Sequence, residues 1–313
     1  MKFNYIIKVL LVLILSSAKA QQGAQFSDYK LNMSSFNPAF AGFFDGSVLL
    51  IHRSQFVGFE GAPRTQNLNV NIPISMYMGT GFDIINENIG VTQKLTATID
   101  YSYTIYTSDY NMITFGLKAG LSNLNIDFNR LDIGDDGDLS FQNNINNEVS
   151  PRIGVGFLYN TPSWFLGLST PNFIKETFDS SIKTYSISSN SQFYLTAGYQ
   201  TAINDQLLFK PSILARAIKN APFIFDAAFN FELQEKFRFG ISYRSDSAIT
   251  AMAGFNFLVN FQAGYAYDHN INGLGTYAPT SHQFYLKYTF KQTKDIRREC
   301  SCSFTNSSND IGF

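Results

Sequence analysis

The chain predicts an all-β fold: a transmembrane antiparallel β-barrel of about 14 strands with an N-terminal plug or periplasmic segment. Three observations predict it. From Gly46 to Phe290, runs of about ten residues alternate apolar and polar side chains with period two, and turn residues separate them. No apolar stretch after residue 20 approaches the roughly 20 residues that a membrane helix needs. The composition is aromatic and poor in charge. Phe (31) and Tyr (17) stand against a single Trp, and charged residues make up 15% where about 25% is usual for a soluble domain.

The first twenty residues read as a secretory signal. Lys2 and Lys8 give a basic start, Val9 to Leu15 form a short apolar run, and Ala18-Lys19-Ala20 is a small-x-small cleavage site ahead of Gln21. Removing Lys2, Lys8 and Lys19 from 23 basic residues leaves 20 against 24 acidic ones, a balance that argues against a nucleic-acid partner. The expected organisation is a signal peptide over 1–20, a plug or periplasmic segment over 21–44, the barrel over 45–290 and a polar periplasmic tail over 291–313.

Within the barrel the faces can be read strand by strand. Leu95, Ala97, Ile99, Tyr101 and Tyr103 alternate with Thr96, Thr98, Asp100 and Ser102. Ile113, Phe115, Leu117, Ala119 and Leu121 alternate with Thr114, Gly116, Lys118, Gly120 and Ser122. Phe223, Phe225, Ala227, Phe229 and Phe231 face away from Asp226, Ala228, Asn230 and Glu232. Phe237, Phe239, Ile241 and Tyr243 face away from Lys236, Arg238, Gly240, Ser242 and Arg244, and Phe284, Leu286, Tyr288 and Phe290 close the series. The first strand, around Val48 to Phe56, is irregular and its faces cannot be assigned. Short connections near residues 74, 108, 161, 204, 234 and 259 alternate with longer ones at 57–63, 129–149, 175–190 and 270–281 and brief ones near 88, 220 and 246. A sandwich does not require that alternation, whereas a barrel of even strand number does. Both termini are then expected in the periplasm and the longer set outside.

The lumen face carries Lys210, Arg216, Asp226, Glu232, Arg238 and Arg244. Such charges form either a paired network that closes the lumen or the lining of a selective pore, and burial favours pairing. Asp132 to Asp138 fails the calcium-loop spacing, because Gly134 stands at the third position, where an oxygen ligand is needed, and Asn143 at the twelfth, where a Glu is needed. His52, His269 and His282 show no nucleophile-plus-base spacing, so no catalytic residue is assigned. Cys300 and Cys302 lack further ligands for zinc. No metal or other cofactor is expected.

Several stretches are more specific than a generic barrel. They are Gln25-Phe26-Ser27-Asp28-Tyr29, Asn37-Pro38-Ala39-Phe40-Ala41-Gly42, the run from His52-Arg53-Ser54-Gln55-Phe56-Val57-Gly58-Phe59 through Glu60-Gly61-Ala62-Pro63-Arg64-Thr65-Gln66, then Phe115 to Leu121, and Leu166-Gly167-Leu168-Ser169-Thr170-Pro171-Asn172. Their order closely resembles the PorP/SprF family over nearly the whole mature chain, with Phe56 and Phe40 where Trp and Tyr are often found. The resemblance implies a non-enzymatic outer-membrane protein of type IX secreting, often gliding, bacteria. It implies a large secreted adhesin as partner, whose export or surface retention it supports, and possible contact with periplasmic secretion machinery. Phe56, Gly58, Phe59, Glu60 and Arg64 are the candidate residues for docking the C-terminal region of that partner. The Asn37-Pro38-Ala39 stretch also resembles the hatch of long-chain fatty-acid transporters, so a passive transporter or porin for apolar small molecules is the alternative.

Overall fold

The computed structural model describes residues 25–130, 144–174, 176–179, 186–189, 191–218, 221–245, 247–271, 273 and 280–290. The strands are β1 (Gly46–Ser54), β2 (Arg64–Pro73), β3 (Met78–Ile89), β4 (Thr92–Tyr106), β5 (Met112–Ile126), β6 (Ile145–Asn160), β7 (Trp164–Thr170), β8 (Glu176–Asp179), β9 (Ser186–Ser189), β10 (Gln192–Tyr199), β11 (Thr201–Asn204), β12 (Leu207–Ile218), β13 (Ile224–Leu233), β14 (Phe237–Arg244), β15 (Ala248–Leu258), β16 (Phe261–Asn270) and β17 (Thr280–Phe290). Neighbours in sequence pair antiparallel around the ring, and β10 bridges β7 to β12. β1 pairs β17 from Gly46↔Phe290 to Ser54↔His282, which closes the wall. β11 prolongs β10 beyond Gln200 and pairs β12 in its turn. β8 and β9 form a hairpin of their own in the connection between β7 and β10. The result is a closed antiparallel barrel of 14 strands, and closure removes the unpaired edges that an open sheet would expose.

Side chains sort as the period-two pattern requires. Ile99, Tyr101, Phe115, Leu117, Phe229, Phe239, Ile241 and Leu286 are exposed on the outer wall, while Asp100, Thr114, Lys118, Ser122, Asn230, Ser242 and Arg244 are buried inside. Lys236 departs from the expected lumen phase, because it sits exposed in the tight turn that joins β13 to β14.

β1 is where the alternation fails, and the structure supplies the reason. Its inward positions Leu49 and Ile51 are as apolar as its outward Leu50, and both are buried. They pack into an apolar core inside the barrel rather than against water or charge. That core is made by residues 25–44, which occupy the lumen. It joins Phe26, Tyr29, Met33, Phe36, Phe40 and Phe43 of this plug to Met112, Leu158, Phe165, Tyr194, Leu214 and Tyr285 of the wall. A ring of 14 strands is too wide to be filled by its own inward side chains, and the plug does the filling.

The two ends of the barrel differ. One, the turn end, carries the tight connections β2–β3, β4–β5, β6–β7, β11–β12, β13–β14 and β15–β16, with Gly46 and Phe290 beside them. The other, the loop end, carries the longer connections. The connection 55–63, bounded by β1 and β2, is held there by Gln55 N to Pro63 O (2.9 Å), Val57 N to Thr280 O (3.0 Å) and Gly90 N to Gly61 O (2.8 Å). Much of 129–149 and 175–190, and the acidic run 132–138, lie outside the described residues, as do 1–24 and the tail with Cys300 and Cys302.

Candidate functional site

The plug is a chain of local turns, because no segment of it is long enough for a regular helix. Asp28 accepts from Lys30 N (3.2 Å) and starts a 3-10 turn at Tyr29–Asn32. A single helical turn follows at Met33–Phe36. Asn37 then caps the turn Pro38–Phe40 by accepting from Ala39 N (3.0 Å), with Pro38 in the first position, where its missing N–H costs nothing.

The small residues of Asn37-Pro38-Ala39-Phe40-Ala41-Gly42 have a packing cause. A Cβ on Gly116 of β5 would collide with the Ala39 amide, and one on Gly156 of β6 would collide with the Asn37 side chain. Plug backbone therefore lies directly on wall backbone, which only glycine permits. Ser102 Oγ donates to Ala41 O (2.7 Å), and Asn37 Nδ2 donates to Phe157 O (3.0 Å).

Around this contact run polar ties. Asp83 of β3 is buried and accepts from Asn67 Nδ2 (2.7 Å), Asn69 Nδ2 (3.1 Å), Asn32 Nδ2 (3.2 Å) and the Ser35 hydroxyl, so one carboxylate gathers two wall amides and two plug groups. Arg53 of β1 pairs with Asp268 of β16 at 2.6 Å, and Ser27 Oγ donates to the same carboxylate at 2.8 Å. Tyr29 shares a hydrogen bond with Ser212 at 2.7 Å, and Lys30 Nζ donates to Lys210 O at 2.7 Å. Burial holds the Lys30 ammonium well below its ordinary value, helped by Arg238. Burial likewise drives the Tyr29 phenol well above its own.

The lumen charges read from the sequence fall into different company. Lys210 pairs with Glu232 at 2.7 Å and Arg244 with Asp226 at 2.7 Å, each across adjacent strands. Arg238 pairs with Asp28, so its partner comes from the plug. Arg216 belongs to no ion pair of the described residues. The sequence reading missed the Arg53–Asp268 pair and the Asp83 hub. It also left Lys118 and Asp100, which pair at 2.7 Å, out of the candidate network. Inward phase marks all of these, but which residue meets which depends on strand order around the ring and on the path of the plug.

At the loop end Phe56 adopts a positive φ of 47° and turns the chain out of β1. Gly58 and Gly61 also sit at positive φ. Phe59 is 59% exposed, so its ring is presented outward and is not buried over the lumen. Glu60 and Arg64 are exposed beside it. The histidines lie on the outer wall near this rim. His282 Nδ1 meets the Tyr265 hydroxyl at 2.6 Å, and His52 Nε2 meets Ser54 Oγ at 3.2 Å.

Comparison with curated protein sequences finds no significant match. Among solved structures the chain is similar to the CymD monoaromatic hydrocarbon channel, at 13% identity over 87% of this chain and 95% of that one, with a TM-score of 0.48. It is also similar to a Pseudomonas aeruginosa FadL homologue, at 13% identity over 82% and 94% with a TM-score of 0.45, and to the KdgM porin, at 8% identity over 78% and 99% with a TM-score of 0.40. The sequence profile described as type IX secretion system membrane protein PorP/SprF matches residues 18–288. With a match over that much of its length, this outer-membrane barrel belongs to the PorP/SprF family of type IX secretion system membrane proteins.

Proposed function

We propose that the barrel acts in type IX secretion as a docking and anchoring platform, supporting export and surface retention of a secreted adhesin in a gliding-related system. The observation that carries this reading is the filled lumen. A passage occupied by an aromatic core and crossed by a plug-to-wall ion pair and hydrogen bonds offers no route for a folded or extended polypeptide. The partner is then held at a rim and does not pass through the wall. In this reading both barrel ends, Gly46 and Phe290, face the periplasm and the loop end faces outward.

The braced connection 55–63 is the platform's contact surface. Three backbone hydrogen bonds fix it before any partner arrives, and Val57 and Phe59 are exposed on it. A preorganised aromatic anchor loses little freedom on binding, which is why such residues dominate binding energy. A photo-crosslinker at position 59 should trap the C-terminal region of the secreted protein on whole cells, and Phe59→Ala should shed that protein into the medium. Normal retention by Phe59→Ala together with an empty crosslink, in a strain with normal barrel levels, rejects this assignment.

A further inference from the structure

We infer that the outer wall over β2 and β3 binds one anionic membrane lipid, its acyl chain in a groove of the wall and its headgroup phosphate on Arg64 and Gln66. The groove runs between the outward columns Leu68, Val70 and Ile72 of β2 and Thr80, Phe82 and Ile84 of β3. Register sets Leu68 opposite Ile84, Val70 opposite Phe82 and Ile72 opposite Thr80, so the columns flank it over about 13 Å of strand. Its volume is about 170 Å³, a little more than the roughly 150 Å³ of an apolar cavity that takes up benzene. Thr80 adds no free hydroxyl, because its Oγ1 donates to Asp100 O (2.9 Å) within the wall. The lining is hydrocarbon throughout, on a face whose surroundings are lipid tails.

The groups above the groove decide the headgroup. Towards the loop end the outward column of β2 continues as Gln66 and Arg64, and that of β3 as Asn86 and Asn88. β2 runs for 10 residues from Arg64 to Pro73, within the roughly 9–11 with which a tilted strand crosses a bilayer. That length puts Arg64 at the level of the headgroups while the groove lies among the tails. The amides beside it are aligned in one direction. Gln93 Nε2 donates to Asn86 Oδ1 (3.4 Å), and Asn86 Nδ2 donates to Gln66 Oε1 (3.3 Å). The chain ends on the Gln66 amide nitrogen, a donor with no acceptor among the described residues. Arg64 likewise meets no carboxylate at ion-pair distance among them. Glu87 is turned to the lumen side of β3, and Glu60 stays exposed in the connection 55–63 with no ion pair of its own. His52, opposite Gln66 on β1, adds an imidazole at the same height. Basic residues at a membrane surface attract anionic headgroups, and a guanidinium meets a phosphate through two parallel hydrogen bonds. A neutral lipid would fill the groove and leave these donors to water, whereas a free phosphate would leave the groove unused.

The test uses the full barrel, signal removed, in maltoside micelles, which contain no phosphate. Phosphatidylglycerol and diacylglycerol, each with the same diazirine-bearing acyl chain, are titrated, photolysed and mapped by peptide mass spectrometry. Saturable labelling by phosphatidylglycerol is expected on the peptides holding residues 68–72 and 80–84, at concentrations at least about tenfold lower than for diacylglycerol. Arg64→Gln should bring phosphatidylglycerol down to the diacylglycerol level, and Val70→Trp, which fills the groove, should lower labelling by both. Glycerol phosphate at the lipid's concentration should not compete. Labelling spread evenly around the outer wall, equal labelling by the two lipids, or competition by glycerol phosphate overturns the proposal. The wild-type map decides the matter even should either variant fail to assemble.

Discussion

Residues inside this barrel matter chiefly for the partner each would strand. Among the described residues, Asp226→Ala removes the one carboxylate paired with Arg244, whose other acceptors are a backbone oxygen and an amide. Breaking one side of a buried pair costs about 3–5 kcal/mol, far more than an exposed pair contributes. The variant should therefore lose its heat-modifiable mobility at a clearly lower temperature than Glu60→Ala, made at the exposed rim. Lys30 and Tyr29 give the plug a pH dependence of known sign. Released from the lumen, the lysine titrates near its ordinary value of about 10.4. Between its depressed docked value and that point the released plug binds more protons, so docking strengthens as pH rises. Tyr29 acts oppositely at higher pH: its docked phenol keeps a proton that the released phenol loses above about 10, so docking then weakens. Limited proteolysis of the plug should show protection rising and then falling along this series. Lys30→Met should flatten the rise, and Tyr29→Phe the fall.

At the scale of elements, wall and plug differ in how far the sequence reveals them. Strands such as β4, β5 and β14 were legible because lipid and lumen impose opposite demands on alternate residues. β1 was not, since the plug makes its inner side as apolar as its outer one. The plug itself lacks any period, and its short turns announce themselves only through Asp28 and Asn37 as caps. The inward charges were legible as a set, yet their pairing was not. Arg238 meets Asp28 and Arg53 meets Asp268 across more than 200 residues of chain, and no local rule carries that distance. Element packing also yields a test. Gly116→Val places side-chain atoms where Ala39 now sits and should displace the plug. The unmodified barrel should conduct poorly in planar bilayers, and the valine variant should show larger, noisier currents. A large steady conductance in the unmodified protein rejects the filled-lumen reading.

For the whole molecule, the outer surface must match the bilayer. Phe229, Phe239 and Ile241 lie mid-strand on the outer wall, and Phe209, Phe231 and Phe239 stack as a band of rings across β12, β13 and β14. Phe229→Arg should destabilise the folded barrel by about 2–4 kcal/mol, and arginine at the rim position Phe223 by only about 0–1 kcal/mol. Equal penalties at both depths, measured by denaturant unfolding in lipid vesicles, remove the case for a lipid-facing belt. The path of the plug bears on how the cylinder is completed. Gln25 and Ser27 are tied to Arg53, Arg244 and Asp268 near the loop end, yet Phe44 hands over to β1 at the turn end. A ring already zipped along β1 and β17 would force Phe26, Tyr29, Phe36 and Phe40 to thread its full height past glycine-lined backbone with no slack. Seating the plug before β1 meets β17 avoids that passage, so the seam between the first and last strands is expected to be the last stitch, drawn over a passenger already seated.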